Sequence, residues 1–170
     1  MDYLWSPWRY RYVSSGTRTD GCVFCSIGRP GDSGDSGQDS SRDQENLVVH
    51  RGLHNFVVLN RFPYTSGHVM VVPYAHAAEL SAISDEAAAE MMALARLSER
   101  HLRAVYRPDG LNLGMNIGAS AGAGIAAHIH MHVLPRWHAD ANFMTTIGET
   151  RVLPEELAVT WQRLKDAFGA

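Results

Sequence analysis

Cysteine is scarce in this sequence: Cys22 and Cys25 are the only two in 170 residues. Long apolar runs are missing as well. No stretch approaches the ~18 residues that cross a bilayer, and Met1 to Tyr12 is rich in aromatics and arginine rather than built as a charged region followed by an apolar one. Neither a membrane span nor a signal peptide is expected, and the chain reads as cytoplasmic. Thiols kept in that compartment stay reduced, so Cys22 and Cys25 read better as metal ligands or redox groups than as a structural disulfide. A dense basic stripe is lacking too. The nearest is Arg9 to Arg18, interleaved with Tyr10 and Tyr12, and the formal net charge is −3, so nucleic-acid binding is not expected. What the chain does have is 45% apolar residues, enough for one domain with a real core or a protomer that shares one.

Near the C-terminal third, His128-Ile129-His130-Met131-His132-Val133-Leu134 alternates imidazoles with apolar side chains. On a strand, residues i, i+2 and i+4 share a face, so this alternation predicts three rings lined up ~7 Å apart with Ile129, Met131 and Val133 pointing into a core. A helix would scatter them. Titratable rings placed side by side disfavour each other's protonation, which makes the arrangement costly unless it is used. Two uses fit: a metal site, or a nucleophile with supporting rings.

Periodicity and turn chemistry place the rest. Residues 28–45 are rich in Gly, Asp and Ser and read as a flexible surface loop. Two strands, Leu47 to Arg51 and Asn55 to Asn60, are joined by the hairpin connection Gly52-Leu53-His54. After a turn at Pro63 to Gly67, His68 to Val72 is a further strand, stopped by Pro73. Ser84 with Asp85 and Glu86 opens a long helix over roughly 84–106, ended by Arg107-Pro108. Strands follow at Leu111 to Ile117 and His128 to Leu134, and Pro154 starts a terminal helix to about Phe168. The order gives an α+β fold: an antiparallel sheet with one long helix and a C-terminal helix. The expected organisation is a single domain over 1–170, comprising an N-terminal segment 1–27, the loop 28–45, a catalytic core 46–150 and a helical end 151–170. The small-residue run Gly118 to Gly124 lets backbone approach an anion closely, and beside the histidines it reads as a phosphate cradle.

The histidine run, together with Asn60, Pro63, Gly67-His68, Val71-Val72-Pro73 and His76, resembles the histidine triad (HIT) superfamily over most of the chain. Pro135-Arg136-Trp137 with Asp140, Asn142 and Phe143, and the N-terminal Leu4-Trp5-Ser6-Pro7-Trp8-Arg9, look like its bacterial diadenosine tetraphosphate phosphorylase branch. The resemblance implies a HIT-like sheet of about five strands and a homodimer. It implies that His130 is the nucleophile that attacks an α-phosphate and forms a nucleotidyl-histidine, its other ring nitrogen held by a carbonyl, here that of His128. His132 would meet the phosphoryl oxygens or leaving group, with His68 beside the triad. Asn60 would contact the ribose, Asn116 the phosphates, Gly122, Ala123 and Gly124 the anion, and Trp137 the substrate. Cys22, Cys25, His76 and His128 would hold a structural Zn²⁺, two thiolates and two imidazoles being a donor mix that tetrahedral zinc prefers.

The implied reaction is phosphorolysis of diadenosine tetraphosphate to ATP and ADP, with a nucleotide and inorganic phosphate as partners. A HIT-type hydrolase or phosphoramidase is the alternative, and a nucleotide-binding regulatory protein with little turnover the second. One departure matters. Where the superfamily has Gly followed by Gln, Ser or Thr, this chain has Ala123 and Gly124, and a missing side-chain donor costs ~10²-fold or more in rate if it steadies transition-state charge.

Overall fold

The structure, a computed structural model, describes residues 21–28, 42–138, 140 and 154–169. The N-terminal aromatic stretch, residues 29–41, Asn142 and Phe143 lie outside the described residues. In chain order the elements are α1 (Val23–Gly28), α2 (Asp43–Asn46), β1 (Val48–Arg51), β2 (Asn55–Leu59), β3 (Val69–Pro73), α3 (Asp85–Tyr106), β4 (Gly110–Met115), β5 (Met131–Arg136) and α4 (Leu157–Gly169). The five strands form one antiparallel sheet in the order β1-β2-β3-β5-β4, so the fold is α+β.

Strand alternation divides the core. Val57, Leu59, Val69, Val71, Met131 and Val133 point to the face covered by Met91, Leu94, Ala95 and Leu102 of α3 and by Trp161 and Leu164 of α4. Phe56, Val58, Met70 and Val72 point the other way, where Phe24 of α1 covers them. Every residue of β2 and β3 is therefore buried, which is why their sequences run apolar without alternating. Burial of a side chain such as Leu102 is worth about 1.5–3 kcal/mol, so the helix face supplies much of the stability.

The long helix begins and ends where its residues dictate. The Ser84 hydroxyl accepts the Ala87 N–H at 3.2 Å, Asp85 and Glu86 oppose the positive end of the dipole, and Arg107 closes the helix in the left-handed region (φ 47°) ahead of Pro108. The β1–β2 hairpin is clamped to this helix by Glu90, whose carboxylate accepts the N–H groups of Leu53 and His54 at 2.6 and 2.7 Å and the Asn55 amide at 2.8 Å. A Cβ on Gly52 would sit 2.8 Å from a Glu90 oxygen, so the turn requires glycine there.

Several boundaries depart from expectation: β3 runs Val69–Pro73 rather than 68–72, β5 ends at Arg136 rather than Leu134, and β1 and β2 are each one residue shorter. The last strand starts at Met131 rather than His128, because the Ile129 N–H donates to the Ala77 carbonyl at 2.7 Å and the β4 ladder stops at the Met115–Met131 pair. Strand β4 accordingly runs 110–115 rather than 111–117. The terminal helix starts at Leu157, leaving Pro154 to Glu156 outside it. Finally, both ends of the expected 28–45 loop are ordered: Gly28 closes α1, and Asp43 in α2 is buried, its carboxylate bonded to Arg51 at 2.9 Å and to Lys165 at 3.2 Å.

Candidate active site and metal centre

Three of the buried polar side chains are histidines gathered at one site. His68, His128 and His130 are 1%, 0% and 5% exposed. Instead of a row of equivalent rings, the tract presents three different environments, and each is set by what meets the ring nitrogens.

His128 turns Nε2 to the Pro73 carbonyl at 2.9 Å. A carbonyl only accepts, so Nε2 carries the proton and Nδ1 the lone pair. That nitrogen lies 3.3 Å from Cys22 Sγ and 3.6 Å from Cys25 Sγ, and His76 Nδ1 lies 3.2 Å from Cys25 Sγ. All four donor atoms fall within 4.8 Å of one another. Bond lengths of about 2.3 Å to sulfur and 2.0–2.1 Å to nitrogen give a tetrahedral zinc shell sulfur–nitrogen edges of roughly 3.5–3.6 Å, and the three sulfur–nitrogen separations lie within about 0.4 Å of that. The donors come from three places in the chain: Cys22 and Cys25 at α1, His76 after β3, and His128 before β5.

His130 points Nδ1 at the His128 carbonyl, 2.8 Å away and buried. Burial pushes its pKa below the ordinary histidine value, and that hydrogen bond only partly opposes the shift. At neutral pH the ring is therefore uncharged, with Nδ1–H donated and the lone pair on Nε2. Phe24 packs its ring 5.1 Å from His130 and 5.4 Å from His128, so the helix that carries Cys25 and directly follows Cys22 also rests on this ring. His132 lies 4.9 Å from His130, ring to ring, and its Nδ1 is 2.9 Å from His68 Nε2. His68 Nδ1 in turn accepts the Tyr64 backbone N–H at 3.1 Å.

Beside these rings lies a pocket of about 450 Å³. Its lining includes His130, His132, Asn116, Gly122 and Gly124, Asn60 just past the end of β2, and apolar side chains such as Val23, Ile27 and Val58. With strands ~4.8 Å apart, the distance from β5 across β3 and β2 to β1 is roughly 14 Å, long enough for a nucleotide laid across the strands. The end near His130 is polar and the end under α1 is mostly apolar.

Sequence-expected residues divide accordingly. His130, His132, Asn60, Asn116, Gly122 and Gly124 come together around the pocket, with His68 behind His132 and outside the lining, and Cys22, Cys25, His76 and His128 gather around the metal position. Ala123 and Trp137 do not line the pocket; the Trp137 ring packs edge-on 6.4 Å from that of Tyr106. The cradle expectation is also modified. The N–H groups of Ala121, Gly122 and Ala123 all turn inward to Gly118 or Ala119 carbonyls, so they are spent on the loop's own turn and Gly124 is the one that faces the pocket with its N–H unused among the described residues. Phe24, Tyr64, Arg61 and Phe62 were not singled out from sequence. Phe24, lying between the two cysteines, carried a usable signal, since a helix there must cover a sheet face; the other three sit in a loop with no periodicity.

A model of the HIT domain family matches residues 41–139. The AP-4-A phosphorylase of Mycobacterium tuberculosis (strain H37Rv) is 40% identical over 161 residues, which span 94% of this chain and 80% of that one. An uncharacterized 16.1 kDa HIT-like protein of Mycoplasma pneumoniae is 28% identical over 143 residues, 84% of this chain and 89% of that one. Among solved structures, a Zn-bound histidine triad family protein from Mycobacterium smegmatis superposes with a TM-score of 0.65 at 28% identity, covering 88% of this chain and 94% of its own. A HIT family member from Bacillus subtilis gives a TM-score of 0.57 at 26% identity, covering 88% and 96%.

Proposed function

The chain belongs to the HIT domain family, and on that premise we propose that it is a nucleotidyl transferase acting on dinucleoside polyphosphates, cleaving diadenosine tetraphosphate by phosphorolysis to ATP and ADP. One observation carries the reading: a buried, neutral His130 whose Nδ1–H is fixed on the His128 carbonyl at 2.8 Å while the ring lines a nucleotide-sized pocket. A ring so held needs no separate base, because its Nε2 lone pair is already available.

In the first step His130 Nε2 attacks the α-phosphorus, the bridging P–O bond breaks, and ATP leaves with that bond's electron pair. In the second, a phosphate oxygen attacks the same phosphorus, the P–N bond breaks, and ADP departs with neutral His130 restored. His132 faces the phosphoryl group and Asn60 the ribose. Asn116, Gly122 and Gly124 surround the phosphates, and the base enters the apolar end against Val23, Ile27 and Val58. Trp137, outside the pocket lining, is assigned no contact with this nucleotide. The 40% identity to an AP-4-A phosphorylase supports phosphate rather than water as acceptor.

Cys22, Cys25, His76 and His128 would hold zinc. Their four donors fill a tetrahedral shell, so the metal would supply a cross-link between α1 and the histidine tract and not an activated water. Homodimerisation is part of the same proposal: β4 is an edge strand with Leu113 exposed, and Ala89, Met92 and Ala93 form an exposed small apolar strip on α3. Among the described residues no helix is long and apolar enough to cross a membrane.

The decisive test is brief mixing with diadenosine tetraphosphate and labelled phosphate, followed by intact-mass analysis. An adenylyl adduct on wild type, absent from His130→Gly, and label recovered in ADP are the expected results. Label-free AMP as product would replace phosphorolysis by hydrolysis, and an adduct that persists in His130→Gly would overturn the assignment of the nucleophile. Metal analysis should find about one zinc per chain, lost in Cys22→Ser.

A further inference from the structure

We propose that Thr65, which does not line the pocket, is a positioning residue: by tying the 61–67 loop to β5 it delivers the Tyr64 amide to His68 and so fixes His132 as a hydrogen-bond donor toward the substrate. The inference rests on the reading that His132 meets the phosphoryl group.

The relay starts at a backbone amide. An amide N–H can only donate, so His68 Nδ1, 3.1 Å from the Tyr64 nitrogen, must be the unprotonated nitrogen of that ring. The Asn60 side-chain nitrogen lies 3.4 Å from the same Nδ1 and is a second donor aimed at it. Neutral His68 then keeps its proton on Nε2 and donates it to His132 Nδ1 at 2.9 Å. Neutral His132 is left with its proton on Nε2. His130, one ring away at 4.9 Å, has the opposite tautomer because its Nδ1 meets a carbonyl. Two histidines that look alike in sequence are thus set as lone-pair bearer and N–H donor. Each assignment traces first to a backbone group: the His128 carbonyl for His130 and, with the more distant Asn60 amide beside it, the Tyr64 amide for His132.

An amide in an irregular loop does this only if the loop is held. Thr65 donates its hydroxyl to the Pro135 carbonyl at 3.0 Å, and Pro135 lies on β5, the strand that carries His132. At the loop's other end the Phe62 N–H donates to Asn60 Oδ1 at 3.0 Å. The Tyr64 ring covers the relay, 4.8 Å from His68 and, stacked, 6.2 Å from His132. The hydroxyl of Thr65 therefore acts at a distance, through the amide of Tyr64 and the ring of His68.

Histidine ¹⁵N spectra of the whole protein read the tautomers without any turnover. Wild type should show His68 and His132 both protonated on Nε2 and His130 on Nδ1. Thr65→Val and Thr65→Ala should drive the His132 nitrogens toward the averaged shifts of a tautomer mixture, and Thr65→Ser should restore the wild-type pattern. Kinetics supply the second arm, using the phenyl and 4-nitrophenyl esters of AMP. A lost donor matters most for the poorer leaving group, so Thr65→Val should lower kcat on the phenyl ester by ~10-fold and on the nitrophenyl ester by under ~2-fold, with KM unchanged. His68 protonated on Nδ1 in wild type, or a Thr65→Val protein with unaltered tautomers, overturns the proposal. Equal losses on both esters overturn it as well, since a merely structural role would produce them. If neither ester is a substrate, the functional reading is what fails and the spectra still decide the tautomers.

Discussion

The two faces of the sheet are built on opposite terms. Toward α3 and α4 the strands present hydrocarbon to hydrocarbon, Val69, Val71 and Val133 against Met91, Leu94 and Leu102, on helices of 22 and 13 residues. Toward α1 the helical cover among the described residues is six residues long, and imidazoles interrupt the apolar surface. A buried ring nitrogen is tolerated only with a partner, so this face is organised by hydrogen-bond direction rather than by volume. Stability made on one face leaves the other free to keep groups poised for chemistry.

Deleting one group from each face tests whether the two are separable. His130→Ala should lower kcat/KM by roughly 10³-fold or more at a smaller cost in stability than a core deletion on the helix face, because the nucleophile is removed while only the Phe24 contact of α1 is loosened. Leu102→Ala, at a fully buried position in α3, should cost about 2–5 kcal/mol of stability and leave kcat/KM of the folded fraction near wild type. Steady-state kinetics beside chemical denaturation of both variants gives the answer. Two variants that lose stability and rate together would show that the faces are not separable.

How far sequence reaches differs between the faces in the same way. On the helix face nearly everything was legible: Ser84 as cap, Arg107-Pro108 as stop, the apolar spacing of Met91, Leu94 and Leu102, the hairpin at Gly52 to His54. Those signals are local, carried by residues adjacent in sequence or by one periodicity. On the histidine face the identities were legible, and the Cys22, Cys25, His76 and His128 donors do converge. The geometry was not. Alternation alone extends β5 back to His128, and only the Ala77 carbonyl, 52 positions upstream of its Ile129 partner, shows why the ladder ends at Met131. Asp43 illustrates the same limit: a charged residue at the end of a Gly/Asp/Ser run reads as solvated, and it is buried because Arg51 and Lys165, 8 and 122 positions away, arrive beside it.

That buried ion pair offers the next test, because it joins the weaker face to the frame. Arg51 and Asp43 lie 2.8 Å apart with side chains 7% and 4% exposed, and Arg51 also donates to the Ile27 carbonyl of α1 at 3.3 Å. Arg51→Met leaves the Asp43 carboxylate buried with Lys165 alone and should destabilise the fold by about 3 kcal/mol. It also frees the end of α1, so zinc should be released to a chelator faster than from wild type. Adding Asp43→Leu should recover part of the stability, since no charge is then stranded, but not the slow zinc release, which depends on the Ile27 contact. Denaturant titration and a chelator-coupled colour assay separate the two. Recovery of both together would mean that Arg51 acts only on Asp43.

A smaller effect is expected on the helix face, at the Glu90 carboxylate. Burial alone would raise its pKa, but the Asn55 amide and the N–H groups of His54 and Leu53 outweigh it and hold the carboxyl below its ordinary 4.5. A carboxylate whose folded pKa is depressed stabilises the fold fully above its unfolded pKa, and the contribution disappears as pH falls through the lower folded value. Glu90→Gln keeps the shape and one acceptor but loses the charge, so it should cost about 1–2 kcal/mol at pH 7. The gap between wild type and Glu90→Gln should then narrow as pH drops below 4.5, because protonation turns the native side chain into a near-equivalent of the amide. Denaturation at a series of pH values from neutral to about 3 measures that closure directly. A gap that stays constant with pH would assign the clamp on the hairpin to shape, and would make the helix face apolar in its energetics throughout.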